Sequence, residues 1–294
     1  MSRSQSRDKL DMAFILTLAC PDRPGIVHAV SALLVQHGYN ITEASQASDR
    51  TSGRFFMRVA FDATDGTTGN ANALRLAVAT MALHFDMAWE LADTAHRMRT
   101  LILVSKLGHC LNDLVFRWKS GLLPVDIRGI VSNHDDHASL AASYGIPFHL
   151  IAVTPGSKAL AETQLMNVVK QEGIELMVLA RYMQILSADL CTQLQGRVIN
   201  IHHSFLPSFK GASPYRQAYE RGVKLVGATA HYVTADLDEG PIIEQGIVRV
   251  DHTMNADALT AQGRDVECAV LARAVRWHAE HRILRNDTRT VVFR

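Results

Sequence analysis

Apolar positions recur along the chain with two different periods, and the switches between them mark out the elements. AFILTLA (13–19) is an apolar run of strand length. After the CPDRPGI turn, with Pro24 suited to a first helical turn, VHAVSALLVQHG places Val27, Val30, Leu33 and Leu34 on one helical face and stops at Gly38. YNITEASQAS alternates as a strand, Asp49 to Gly53 makes a turn, and RFFMRVAFD returns as a second strand. ANALRLAVATMALHF reads as a helix and DMAWELAD as a closing strand, which gives the order βαββαβ of a ferredoxin-like domain.

A polar stretch, DTAHRMRT (93–100), leads to a different pattern. LILVSK is an apolar strand, followed by a helix from about His109, RGIVSNH as strand and loop, and SLAASYGIPFHLI as helix, turn and strand. ALAETQLMNVVKQEG is a helix, IELMVLA a strand, SADLCTQLQG a helix capped at Ser187, and RVINIH the next strand. Alternating strands and helices predict a doubly wound, mainly parallel sheet. LVGATAHYV and PIIEQGIVRV are too close for a crossover helix, so they predict an antiparallel hairpin or edge. A long helix over Ala256–His278 and a strand, TVVF, close the chain. The fold class expected is therefore α/β: a βαββαβ domain over 11–93, a linker over 94–99 and a larger domain over 100–294.

Composition narrows the classes. A chain of 294 residues suggests two domains at about 150 residues each. A hydrophobic share of 48% supplies real cores, and a net charge of +1 without a basic run argues against a nucleic-acid partner. Cys20, Cys110, Cys191 and Cys268 form no CxxC pair, which argues against a zinc ribbon or dithiol motif and fits a reducing cytosol. The polar stretch Met1 to Leu10 lacks a signal-peptide core, and no apolar run spans a bilayer. A cytoplasmic location with no membrane partner is the expectation.

The chemistry concentrates in VINIHHSFLPSFKGASPY (198–215). Positions i and i+2 of a strand face the same way, so Asn200 and His202 share one face at the carboxyl end of a parallel strand, where open α/β sheets bind ligands. An amide donor and an imidazole suit a carbonyl that becomes a tetrahedral oxyanion. The loop HYVTADLDEGPII (231–243) adds Asp236, Asp238 and Glu239. Singly these are weak signals, because turn acids usually serve solvation and a lone histidine is more often a satisfied core residue.

As a set, NIHHSFLP, KGASPY, GATAHYVTADLDEGP and VLARYMQIL resemble the formyltetrahydrofolate-dependent formyltransferase family over roughly 100–280. That resemblance implies a catalytic trio of Asn200, His202 and Asp238. It also implies folate contacts from Tyr182, Met183, Gln184, Ile185 and Leu186, and from Val233, Thr234, Ala235 and Asp236. His203 points to the opposite strand face and reads as structural, while Lys210 either meets the folate glutamate tail or is solvated. Where members acting on glycinamide ribonucleotide carry a small-residue phosphate cradle, this chain has SKLGHCLND, with Lys106, Leu107 and His109. The C-terminal nucleic-acid domain of members acting on initiator tRNA is also missing from this sequence.

LACPDRPGIVHAVSALLVQHGYNI resembles an ACT domain, a module that binds amino acids and pairs with copies of itself. Its candidate effector residues are Asp22, Arg23, Gly25, Ile26 and Asn40. An ACT domain ahead of a formyltransferase-like domain resembles the layout of the formyltetrahydrofolate deformylase family. That layout implies hydrolysis of 10-formyltetrahydrofolate to tetrahydrofolate and formate, with folate as substrate, no separate cofactor, no metal, an amino-acid effector and a homo-oligomer through the ACT domains. Three alternatives stay open. One is a formyltransferase with a small acceptor. Another is a metal-dependent hydrolase using NHDDH (133–137) with His202 and His203. The third is a non-catalytic folate or amino-acid sensor.

Overall fold

A computed structural model describes residues 13–64, 70–154, 156–207 and 214–294; Lys210 lies outside the described residues. The chain divides into two compact units: 1–96 with 280–286 and 291–294, and 97–279 with 287–290.

The first unit runs β1 (Ala13–Pro21), α1 (Ile26–Gln36), β2 (Tyr39–Asp49), β3 (Arg54–Ala63), α2 (Ala71–Phe85) and β4 (Ala88–Asp93). Its antiparallel sheet has the order β2-β3-β1-β4, the ferredoxin-like arrangement that the patterning predicts. Period-two alternation decides which side chains meet the helices. Phe14, Leu16 and Leu18 of β1 and Phe55, Met57, Val59 and Phe61 of β3 pack with Val30 and Leu34 of α1 and Leu74 and Val78 of α2. Asn70 caps α2 by accepting from the backbone N–H of Asn72 and Ala73, and Gly38, at φ 77, ends α1.

The second unit begins with β5 (Met98–Val104), α3 (His109–Lys119), β6 (Val125–Ser132), α4 (Ala138–Ser143), β7 (Phe148–Leu150) and α5 (Lys158–Gln171). It continues with β8 (Leu176–Leu179), α6 (Ala188–Gln193), β9 (Val198–His202), α7 (Pro214–Glu220), β10 (Leu225–Tyr232), β11 (Ile242–Arg249) and α8 (Ala256–Ala279). Its sheet order is β11-β10-β9-β8-β5-β6-β7. β5 to β9 pair in parallel, and β10 and β11 add an antiparallel edge, as the short spacing requires. Leu101, Leu103, Met177 and Leu179 pack against α5 through Leu165 and Val169. The predicted cap of α6 is present, with Ser187 Oγ accepting from Leu190 N at 3.2 Å.

The strand β5 starts inside the stretch expected to be linker. A larger difference lies at the C-terminus, which ends in a hairpin of β12 (Ile283–Asn286) and β13 (Arg289–Val292). The sequence reading kept all of 100–294 together, yet most of the last fifteen residues group with the first unit. There Leu284 and Phe293 pack on Ala19 and Phe56, the β1 and β3 side chains that point away from the helices. Leaving that sheet face bare would expose a fully buried phenylalanine. Arg282 and Arg58 both pair with Glu43, and Asn286 donates to Asp49 at 2.7 Å.

Candidate active site

The site forms where β8, β9 and β10 present their ends. On β9, Asn200 and His202 do share a face, and pairing with β10 places His231 directly opposite Asn200. The register of β10 on β11 shifts between Ala230 and His231, a bulge at the residue that meets Asn200. The loop after β10 then folds back. Thr234 Oγ1 donates to the Asp236 carbonyl at 3.0 Å, and Tyr232 N donates to the Pro241 carbonyl at 3.0 Å. Asp238 sits in the left-handed region at φ 58, and a Cβ at Gly240 would run into the Tyr232 carbonyl. A residue without a side chain at 240 and a strained aspartate at 238 bring that carboxylate to the imidazoles.

His202 is 5% exposed, and its Nδ1 lies 3.2 Å from Asp238 Oδ2. A carboxylate only accepts, so Nδ1 carries the proton and Nε2 holds the lone pair in the neutral ring. That Nε2 is buried and has no hydrogen-bond partner among the described residues. His231 Nδ1 donates to the Tyr232 carbonyl at 2.9 Å, which leaves its Nε2 to accept from Asn200 Nδ2 at 3.2 Å. One amide hydrogen of Asn200 is thus fixed, and the second has no partner among the described residues. His231 Nε2 is also 3.7 Å from Asp238 Oδ1, too long for a hydrogen bond but close enough to act as a charge when protonated. The imidazoles of His202 and, secondarily, His231 hold the Asp238 carboxyl well below the usual carboxylate range.

These groups open onto a cavity of about 320 Å³. Tyr182, Met183, Gln184, Ile185 and Leu186 form one wall, and Val233, Thr234 and Ala235 another. The position of the first wall is set by Ser105. Its N–H donates to the Arg181 carbonyl at 3.2 Å, and its Oγ accepts from Met183 N at 3.0 Å. Burial pushes the Tyr182 hydroxyl up to about 12, so it stays protonated in the wall. Asp236 is the exception among the expected contacts. Its side chain is exposed and away from the cavity, which Leu237 lines instead. Its backbone carbonyl serves the Thr234 turn.

His203 lines the cavity too, but burial, then the Arg181 charge and His202, pull its imidazole down to about 4. It is neutral near pH 7 and poorly suited to shuttle a proton there. His231 was missed in the sequence. The signal was Thr229 and His231 at i, i+2 in an otherwise apolar strand, which put two polar groups on one buried face.

The NHDDH stretch does structural work. Ser105 Oγ donates to Asn133 Oδ1 at 2.7 Å, and His137 Nε2 donates to the Ser105 carbonyl at 3.0 Å. Among the described residues, His109, Cys110 and Glu267 bring donor atoms within 4.8 Å of one another. Arg181 stands 3.5 Å from Glu267, and the Cys110 thiol is pushed up by its hydrogen bond with Cys268 and by burial, both unfavourable to a cation.

In the first unit, Asp22 N donates to the Gly53 carbonyl at 2.9 Å, and the Arg23 guanidinium donates to the His84 carbonyl and lies 4.9 Å from the Phe85 ring centre. Gly25 takes φ 94 at the start of α1 and Asn40 is exposed. Ile26, expected as an effector contact, is instead part of the core.

Two family models match the chain: Formyl transferase over residues 98–275 and ACT domain over 14–70. A formyltetrahydrofolate deformylase of Corynebacterium sp. (strain P-1) is 53% identical over 95% of this chain and 98% of that protein. One of Bacillus subtilis (strain 168) is 49% identical over 95% of this chain and 93% of that protein. The crystal structure of formyltetrahydrofolate deformylase from Burkholderia mallei ATCC 23344 superimposes with a TM-score of 0.92 at 53% identity, covering 96% of this chain and 100% of that one.

Proposed function

The chain belongs to the formyltetrahydrofolate deformylase family, and we propose that it hydrolyses 10-formyltetrahydrofolate to tetrahydrofolate and formate, with Asn200, His202 and Asp238 as its catalytic residues. The observation that carries this reading is the buried Nε2 of His202, unpaired among the described residues, backed by Asp238 through Nδ1 and standing beside the half-buried amide of Asn200.

The chemistry follows from what each atom has left to offer. Asp238 Oδ2 is taken by His202, and Oδ1 is left to orient water and accept its proton. The water oxygen bonds to the formyl carbon, and the carbonyl oxygen gains charge. The free Asn200 N–H donates to that oxygen. The C–N10 bond then breaks as His202 Nε2, through its lone pair, takes the hydroxyl proton of the tetrahedral intermediate and passes it to N10, while Nδ1 stays on Asp238 and formate leaves. The pterin lies between the Tyr182–Leu186 wall and the 233–235 wall. The substrate is the only small molecule that the reaction needs besides water.

The ACT unit is the regulatory and assembly module in this reading, with Asp22, Arg23, Gly25 and Asn40 as the face for an amino acid. A cavity of about 860 Å³ beside the catalytic one favours a second reading, formyl transfer to a small acceptor. One assay separates the two. Purified protein is mixed with 10-formyltetrahydrofolate and no acceptor, and formate and tetrahydrofolate are measured with and without a panel of amino acids. Stoichiometric formate supports hydrolysis. Release of tetrahydrofolate only when an amine is added overturns it.

A further inference from the structure

The second cavity shares Arg181, Met183 and His203 with the catalytic one, so it is the space that the body of an amine acceptor would occupy. Water needs no such space. An amine must bring its substituent along; of the three acids lining this cavity, Glu220 and Asp257 are exposed to water, and the buried one able to anchor it is Glu267. That carboxylate is 1% exposed and already engaged by two hydrogen bonds and one ion pair. Tyr215 OH donates to Oε1 at 2.7 Å, His109 Nε2 lies 2.8 Å from Oε2, and Arg181 Nε lies 3.5 Å from Oε2. The Tyr215 ring lies over Gly263, one helical turn before Glu267, where any Cβ would collide with it. Burial by itself would raise the Glu267 carboxyl, but the His109 hydrogen bond, the Arg181 charge and the Tyr215 hydroxyl outweigh it and keep it ionised. His109 belongs to the SKLGHCLND stretch, so the side chain that spoils a small-residue cradle is the one that covers this carboxylate.

We propose that His109 and Tyr215, by occupying Glu267, are specificity-determining residues that deny the second cavity to an amine acceptor and leave water as the acceptor. The inference rests on the deformylase reading and adds why hydrolysis prevails over transfer. In transfer, the amine nitrogen would bond to the formyl carbon, the C–N10 bond would break, and the amine's proton would pass to N10, giving a formamide in place of formate.

The test partitions the product. Full-length protein turns over 10-formyltetrahydrofolate with increasing glycinamide, and formate and N-formylglycinamide are both quantified. The wild type is expected to give formate, with formamide only at a low baseline that sets the reference. His109→Gly uncovers Oε2, and its formamide fraction should rise with glycinamide by roughly tenfold or more over the wild type, the worth of one hydrogen bond to a charged group. Tyr215→Phe keeps the ring against Gly263 and frees Oε1, so it tests the idea even if His109→Gly folds poorly. His109→Gln retains a donor and should behave as wild type. An unchanged formamide fraction in both His109→Gly and Tyr215→Phe overturns the proposal, as does wild-type formylation of glycinamide at the variants' level. Absence of formate from the wild type would instead strike the deformylase reading.

Discussion

Two carboxylates within one unit are used in opposite ways. Asp238 is half-buried, strained at φ 58 and paired with His202, whose other nitrogen has no partner among the described residues. Glu267 is fully buried on α8, and its oxygens are taken up by His109, Tyr215 and Arg181. The first arrangement leaves hydrogen-bonding capacity unspent at a cavity, which costs stability and is the mark of a site awaiting substrate. The second spends its capacity internally, which holds α3, α7 and α8 together and presents a finished surface. A buried acid thus signals chemistry through what its partners leave free, more than through its own burial.

The contrast can be broken most forcefully at Asp238. Asp238→Asn should lower kcat for formate release by about a thousandfold, within the range of general acid–base catalysis, while folate still binds. Rapid-mixing turnover and equilibrium titration with tetrahydrofolate check both halves. Asn200→Ala should cost about a hundredfold in kcat, the loss of one oxyanion donor, with a smaller change in KM. At the other carboxylate the sign of the outcome changes. Glu267→Gln should cost stability, about 2 kcal/mol by urea unfolding, because a charge-assisted buried network loses its charge, while formate release falls far less than in Asp238→Asn.

The smallest effect is a pH dependence. Because the Asp238 carboxyl is depressed in the folded protein, its stabilisation is complete above the unfolded value of 3.8 and is lost as pH falls toward the folded value. The stability gap between wild type and Asp238→Asn should therefore shrink from about pH 5 to about pH 3. A gap that widens on acidification would contradict the His202–Asp238 pairing.

Much of this was legible in the sequence, and for identifiable reasons. The alternation in RFFMRVAFD and the 3.6-residue period in ANALRLAVATMALHF are local, so β3 and α2 fall where the pattern puts them. The i, i+2 spacing of Asn200 and His202 likewise forces a shared face once β9 is a strand. The C-terminal hairpin was misassigned because its partners, Ala19 and Phe56, are distant in sequence and look like ordinary alternating strand positions.

The sequence by itself determined the two-unit α/β layout and the strand that carries Asn200 and His202, because period, spacing and turn chemistry act over a few residues, while its resemblance to a family pointed to the segments 182–186 and 233–236. Only the tertiary structure decided that Asp236 turns away from the cavity while Leu237 lines it, that His231 holds the Asn200 amide, and that His109 covers Glu267. Each of these depends on a cross-strand register, a left-handed turn or the approach of two helices, and those are set by packing between segments far apart in the chain.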